Sequence, residues 1–151
     1  MGTLEATHTV EIEAPLERVY EVAADVATCD VWTPSVLTVD VIEKNSDGSA
    51  ALVEMENDAI VKKTKTIIRY DYGGRPGRIT WEQEEGDAKW MNGSWELTAI
   101  DEDHTRAVYS LQTDPGRILG MLLRGPVEGK VKEFLSKGAA EGLKTQVEGN
   151  A

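Results

Sequence analysis

Thr7–Glu13 alternates, with His8, Val10 and Ile12 on one side and Thr9, Glu11 and Glu13 on the other, which predicts a half-buried strand. At Ala14-Pro15 the period changes. Pro15 suits a first helical position, where its missing N–H costs nothing, and Leu16, Val19, Tyr20 and Ala23 follow at helical spacing as an apolar stripe. A second short helix is expected over Asp25–Thr33, ended by Pro34. Alternation returns in Val36–Lys44 and Ala50–Glu56, which flank Asn45-Ser46-Asp47-Gly48, a turn signal that makes them a hairpin. Leu37, Val39 and Val41 share one side of that hairpin, as do Ala51, Val53 and Met55. Further strands fall at 60–72, 78–84, 89–100 and 105–113, separated by GGRPG, EEGD and DEDH. Asp114-Pro115 then reads as the N-cap and first turn of a C-terminal helix running to about Val147. Gly125-Pro126 should kink it, and Val127, Val131, Phe134, Leu135, Gly138 and Gly142 mark its inward face.

Strand, two helices, six strands and a long helix make an α+β pattern: a mostly antiparallel sheet of seven strands with the helices on one face. At 151 residues the chain forms one domain, 1–151, with one core. A curved sheet wrapped around a long helix leaves a gap between the two. Parity decides what faces it. Three of the four tryptophans lie in WEQEEGDAKWMNGSW, residues 81–95. An odd-numbered turn at Glu85-Gly86-Asp87 puts Ile79, Trp81, Met91, Trp95 and Leu97 on one face, with Gly93 leaving room between them; a two-residue turn would separate Trp81 from Trp95. With the next turn odd as well, Tyr109 and Leu111 join that face, while Trp90 lies beside Glu82 on the other, half exposed. An aromatic stripe is ordinarily core. Here Gly138, Ala139, Ala140 and Gly142 stand opposite the rings, and such small residues leave space for a ligand.

Charge and composition exclude several classes. A net charge of −11 repels phosphate backbones, so nucleic acid is not an expected partner. There is no run of about 18 apolar residues, hence no membrane span, and the N-terminus lacks signal-peptide character, so the expected location is cytoplasmic. Cys29 is the single cysteine and reads as a small buried hydrophobe. Two histidines without HExxH give no metal site, and no cofactor is expected. His8 reads as a structural strand residue. Residues 117–144 carry six basic against three acidic side chains, a local +3 that leaves −14 elsewhere. This is either a solvated helix face or a docking surface for an acidic carrier protein.

VEIEAPLERVYEVAADVATCDVWTPSVLTVDVIE resembles the opening of START-like, Bet v 1-like (SRPBCC) domains, the superfamily of polyketide cyclases and lipid-transfer proteins. The shared pattern is a strand, Ala-Pro, an amphipathic helix ending in an aspartate (Asp25), a Trp-Pro segment (Trp32-Thr33-Pro34) and a strand. The resemblance covers the whole chain and implies a helix-grip fold. GDAKWMNGSWEL is similar to a segment of bacterial aromatase/cyclases, which implies corresponding places for Met91, Asn92 and Trp95, the last in a pocket wall. The same likeness puts Arg69 where those enzymes carry a pocket arginine that orients polyketide carbonyls and stabilises an enolate, work suited to a guanidinium that stays charged in an apolar cavity. The chain departs from them in IVKKTKTIIRY, with Lys63 and Lys65 in place of tryptophans, and at Ser35 and Val36, where a pocket tyrosine has no counterpart. Strand parity leaves open whether Ile67 and Arg69 or Ile68 and Tyr70 point inward.

The leading expectation is a protein that binds a hydrophobic or amphipathic small molecule, of lipid, isoprenoid or polyketide type, between sheet and C-terminal helix. Its site comprises Trp81, Met91, Asn92, Trp95, Leu97, Tyr109, Leu111, Phe134 and Leu135. The alternatives are an aromatase/cyclase acting on a carrier-bound polyketide, with Arg69 as catalytic anchor, and a protein-partner-binding module.

Overall fold

The computed structural model describes residues 3–149. Its elements are β1 (Leu4–Ile12), α1 (Leu16–Ala24), a 3-10 turn (Val26–Val31), β2 (Val36–Lys44), β3 (Ala50–Asp58), β4 (Lys63–Asp71), β5 (Arg78–Gly86), β6 (Trp90–Asp101), β7 (His104–Asp114), α2 (Gly116–Leu122) and α3 (Pro126–Gly149). The sheet runs β1-β7-β6-β5-β4-β3-β2, with every neighbouring pair antiparallel. This is the helix-grip α+β fold. The β1–α1 corner is fixed to β7 by the Thr105 hydroxyl, which donates to the Ala14 carbonyl at 2.8 Å in a fully buried setting.

Four local expectations change. Residues 26–31, VATCDV, form a 3-10 turn instead of an α-helix, because all but one of these side chains are weak helix formers. The C-terminal helix is broken in two. Gly125 adopts φ 70°, the left-handed conformation that ends a helix at little cost to glycine, and Pro126 opens α3 where its missing N–H is harmless. β4 starts at Lys63 because Ile60 turns the chain with φ 71°, its N–H bonded to the Asp58 carboxylate at 2.8 Å. On β2 a bulge between Val36 and Thr38 separates Leu37, which is exposed, from Val39 and Val41, which pack on the core.

The main core is built around Ile12, Val19, Val53, Ile79 and Leu143, and a smaller cluster of Leu4, Leu123 and Val131 closes the other end. α3 lies against β1, β7 and α1. Its path over that edge leaves the inner face of the other strands to α1, which packs on β6, and to the 3-10 turn, which packs on β2, with a region between them uncovered.

Candidate functional site

The uncovered region is a cavity of about 170 Å³, bordered by both core clusters. Its deep wall is aromatic. In the β5–β6–β7 register Ile79 pairs with Trp95, Trp81 with Gly93, and Trp95 with Tyr109, the odd-turn parity that gathers the large rings on one face. Trp32, Trp95, Tyr109, Trp81, Tyr70 and Tyr72 form a continuous chain of ring contacts, with successive centroids 6.3, 5.0, 5.6, 5.7 and 6.2 Å apart. These spacings lie in the favourable range for tilted and offset aromatic pairs. Gly93 permits this: a Cβ there would come within 2.5 Å of the Trp81 indole, so the ring can lie flat across the strand only over glycine. Met55, Ile68, Met91 and Leu111 continue the wall from the strands, while Val131, Leu135 and Ala139, spaced by four, face it from α3. Partly exposed Asn57, Thr64, Thr113 and Leu119 also line the cavity, and all lie towards the β3–β4 loop and α2, which puts the mouth at that end.

Of the residues expected from sequence, Trp81, Met91, Trp95, Tyr109, Leu111 and Leu135 border the cavity. Four do not. Leu97 is buried in the main core beside the cavity. Phe134 is half-buried and turned away, since it sits about 100° around the helix from Leu135. Asn92 lies on the opposite sheet face, paired in register with Glu82 and Gln112. Arg69 is also on that outer face: Ile68 and Tyr70 point inward, so the guanidinium points out, where its Nε meets the Glu84 carboxylate and its Nη2 lies 3.7 Å from Glu43. Residues that went unassigned by sequence complete the site: Cys29 in the 3-10 turn and Trp32 directly after it, Tyr70 on β4, and Thr66 and Gln83 at the edge. Trp32 was visible in the Trp-Pro signature, and Tyr70 as one arm of the unresolved β4 parity.

The small residues of α3 act differently from expectation. Gly142 leaves no void, because the Trp32 carbonyl occupies the place where its Cβ would stand. Gly138 passes Pro34, whose ring lies 3.6 Å from its would-be Cβ, and Ala140 is wholly core. Only Ala139 opens onto the cavity.

The deep part of the cavity carries no charged side chain, and the one cation on its lining among the described residues, Lys65, is exposed. Burial raises the phenol pKa of both Tyr70 and Tyr109, and burial pushes the Cys29 thiol up to about 12, so all three stay protonated at neutral pH. A protonated thiol is a poor nucleophile, and no histidine or carboxylate side chain lines the cavity among the described residues. Thr66 Oγ1 donates to Gln83 Oε1 at 2.9 Å, and Gln83 Nε2 to the Ala88 carbonyl at 2.9 Å, which satisfies the polar edge internally. No group of three or more metal-ligating side chains occurs among the described residues. The arrangement suits holding an apolar guest.

The basic residues of the C-terminal region divide into two sets. Lys132, Lys137 and Lys144 pair with Glu128, Glu133 and Glu148 one turn away on α3. Arg117, Arg124 and Lys130, near the α2–α3 junction, are exposed and make no ion pair among the described residues. Ile118, Met121 and Leu122 are exposed beside them. No helix among the described residues is long and apolar enough to cross a membrane.

The fold has many relatives of known structure. A START superfamily protein from Mycobacterium smegmatis aligns over 99% of this chain and 100% of its own, with TM-score 0.84 at 17% identity. A Thermus thermophilus protein aligns over 97% and 99%, with TM-score 0.83 at 24% identity. The Zhui aromatase/cyclase from Streptomyces aligns over 97% and 94%, with TM-score 0.75 at 21% identity. At such identities the likeness is one of fold. No curated protein is matched. The family model for polyketide cyclase / dehydrase and lipid transport proteins spans residues 3–148, and with the START-type architecture around an inner cavity it establishes that the chain belongs to that family.

Proposed function

We propose that the protein binds a small, uncharged hydrophobic molecule between its sheet and α3. The observation that supports this most is the cavity itself, about 170 Å³ of space walled by Trp32, Trp81, Trp95, Tyr70 and Tyr109 in a chain that has few other aromatic residues. A void of about 150 Å³ suffices for benzene, so the volume suits one ring with a few substituents. A longer acyl, isoprenoid or polyketide guest would extend through the mouth past α2. The wall holds rings and offers no charged group in the deep half, so it favours binding over catalysis. Native mass spectrometry of the purified protein and a fluorescence titration test the reading. Three of the four tryptophans line the cavity, so a guest should alter their emission strongly, and an unaltered spectrum with every apolar compound tried would reject it.

A second reading, exchange of the guest with an acidic carrier protein, has support in Arg117, Arg124 and Lys130, which make no ion pair among the described residues, beside exposed Ile118, Met121 and Leu122 near the mouth. Transfer that persists undiminished in an Arg124→Glu, Lys130→Glu variant would reject it. Cyclisation of a polyketide has no inward arginine to rely on, since Arg69 serves the outer surface.

A further inference from the structure

Charge in this molecule is sorted by place. Nine lysines and arginines make no ion pair among the described residues, and seven of them stand at the end where the cavity opens. Lys62, Lys63 and Lys65 belong to the β3–β4 connection and the start of β4, and Lys89 to the β5–β6 turn. Arg117, Arg124 and Lys130 belong to α2 and the beginning of α3, and all seven are exposed. Each of these three segments also lends the cavity a lining residue, Thr64, Ala88 and Leu119 respectively. Three carboxylates at this end are taken up by backbone: Asp58 accepts from the Ile60 N–H at 2.8 Å, Asp87 from the Lys65 N–H at 2.9 Å and Asp114 from the Gly116 N–H at 2.9 Å. Segments 58–65, 85–89 and 114–130 together carry a net +2, against −13 for the rest of the chain, and the turns at the opposite end, 43–49, 71–77 and 101–104, carry −4. Apolar side chains that the core does not use gather at the same end. Ile118, Met121 and Leu122 of α2 are 73%, 57% and 47% exposed, and Ile60 of the β3–β4 loop is 51% exposed. Val61 and Leu119 pack into one cluster with Leu4, Leu123 and Val131, which brings that loop and α2 together. Ile60 also holds φ 71°, a conformation that suits glycine or asparagine and is unfavourable for a β-branched residue. Neither burial nor local backbone accounts for an isoleucine there.

We propose that this rim docks on the surface of an anionic lipid bilayer, and that the guest passes between bilayer and cavity through the mouth beside it. The inference rests on the cavity holding an apolar guest, and it names the phase that supplies that guest. Apolar tips flanked by cations match the layering of a bilayer, in which hydrocarbon lies beneath an anionic headgroup zone. The cations come from three segments far apart in sequence that border one opening, an arrangement that addresses a broad surface. An acidic carrier protein would be served by Arg117, Arg124 and Lys130 alone, and it gives no use to Ile60, Lys62 or Lys63. The negative remainder of the chain does not oppose contact. At physiological salt, charges further than about 8 Å from the headgroups are largely screened, and the acidic turns stand a strand length away, about 30 Å for the nine residues of β4. The same polarity along the strands turns the mouth towards an anionic surface on approach.

Flotation of the full chain with vesicles of phosphatidylglycerol and phosphatidylcholine in equal parts, and with vesicles of phosphatidylcholine alone, tests the proposal. The wild type should associate with the first, less so as salt rises, and far more weakly with the second. Lys62→Gln combined with Arg117→Gln should weaken association roughly 30-fold, at about fivefold for each cation removed from the surface. Lys44→Gln combined with Arg106→Gln makes the same change in net charge at the two exposed cations away from the mouth that lack an ion pair, and should leave association within about twofold of the wild type. Ile118→Ser combined with Met121→Ser should weaken it about tenfold or more, with acetophenone affinity in vesicle-free solution unchanged. A wild type that ignores the anionic vesicles while still binding acetophenone would overturn the proposal, leave the cavity reading intact and assign the rim to a protein partner. Equal losses in the two charge variants would overturn it as well, and so would undiminished association of the Ile118→Ser, Met121→Ser variant. Association without binding of any apolar guest would overturn the passage of a guest and the cavity reading together.

Discussion

Ala139→Leu distinguishes a hollow from a filled interior by the sign of its effect. Ala139 is 2% exposed on α3 and borders the cavity. Leucine adds three carbons, which at about 0.8 kcal/mol each bring a transfer gain of about 2.4 kcal/mol if they enter empty space. Fixing the leucine rotamer costs roughly 0.5–1 kcal/mol, which leaves a net gain of about 1.5 kcal/mol. For a domain of this size that raises Tm by roughly 3–6 °C. In a close-packed interior the same atoms would force neighbours aside at a cost of about 1–3 kcal/mol. Urea unfolding followed by circular dichroism resolves outcomes so far apart. The filled variant should also lose affinity for aromatic guests. A variant destabilised by 1 kcal/mol or more, or one that binds guests as well as the wild type, would refute the reasoning.

Three further outcomes follow from particular contacts. Gly142→Ala puts a methyl group on the Trp32 carbonyl and should destabilise by about 1–3 kcal/mol, whereas Gly129→Ala on the same helix meets nothing within 4 Å and should gain up to about 1 kcal/mol; denaturant midpoints of the pair check this. Arg69→Ala removes two exposed ion pairs on the outer face, so it should change stability by less than about 1 kcal/mol and leave guest affinity as in the wild type, which a titration of both proteins reads directly. His104 donates its Nδ1–H to the Asp101 carboxylate at 2.8 Å, chiefly a hydrogen-bond effect that raises its pKa above the ordinary 6.5. The stability so contributed is complete below 6.5 and lost as pH rises through the folded-state value. NMR titration should find His104 above its ordinary pKa in the wild type and lower in Asp101→Asn.

Much of this site was legible in one chain because strand period and turn parity are local. The alternation at Ile79–Trp81 and Met91–Leu97 fixed which rings share a face, once the turn between them was taken as odd. Asp114-Pro115 and Gly125-Pro126 marked real helix boundaries, although the second proved a break with Pro126 starting a new helix. What stayed hidden depends on long-range geometry. The inward set of β4 is decided by its register with β3 and β5 and by the bulge between Ile67 and Ile68, so Arg69 and Tyr70 could not be separated by counting along the strand. The azimuth of α3 is likewise set by its packing on β1 and β7, which brings Leu135 to the cavity and turns Phe134 away. Trp32 enters because the 3-10 turn folds back over the sheet far from the other tryptophans in sequence. The use of Gly142 to admit the Trp32 backbone shows why small residues on a helix did not by themselves measure the space: one accommodates main chain, and only Ala139 borders the void.

The central claim is that a small ring compound enters the space between sheet and α3. Proton–nitrogen correlation NMR of the four tryptophan indole groups during titration with acetophenone tests it directly. The resonances of Trp32, Trp81 and Trp95, which line the cavity, should move together along one saturable curve, while that of Trp90, on the outer face, stays in place. Four unmoved resonances, or movement of Trp90 alone, would contradict it.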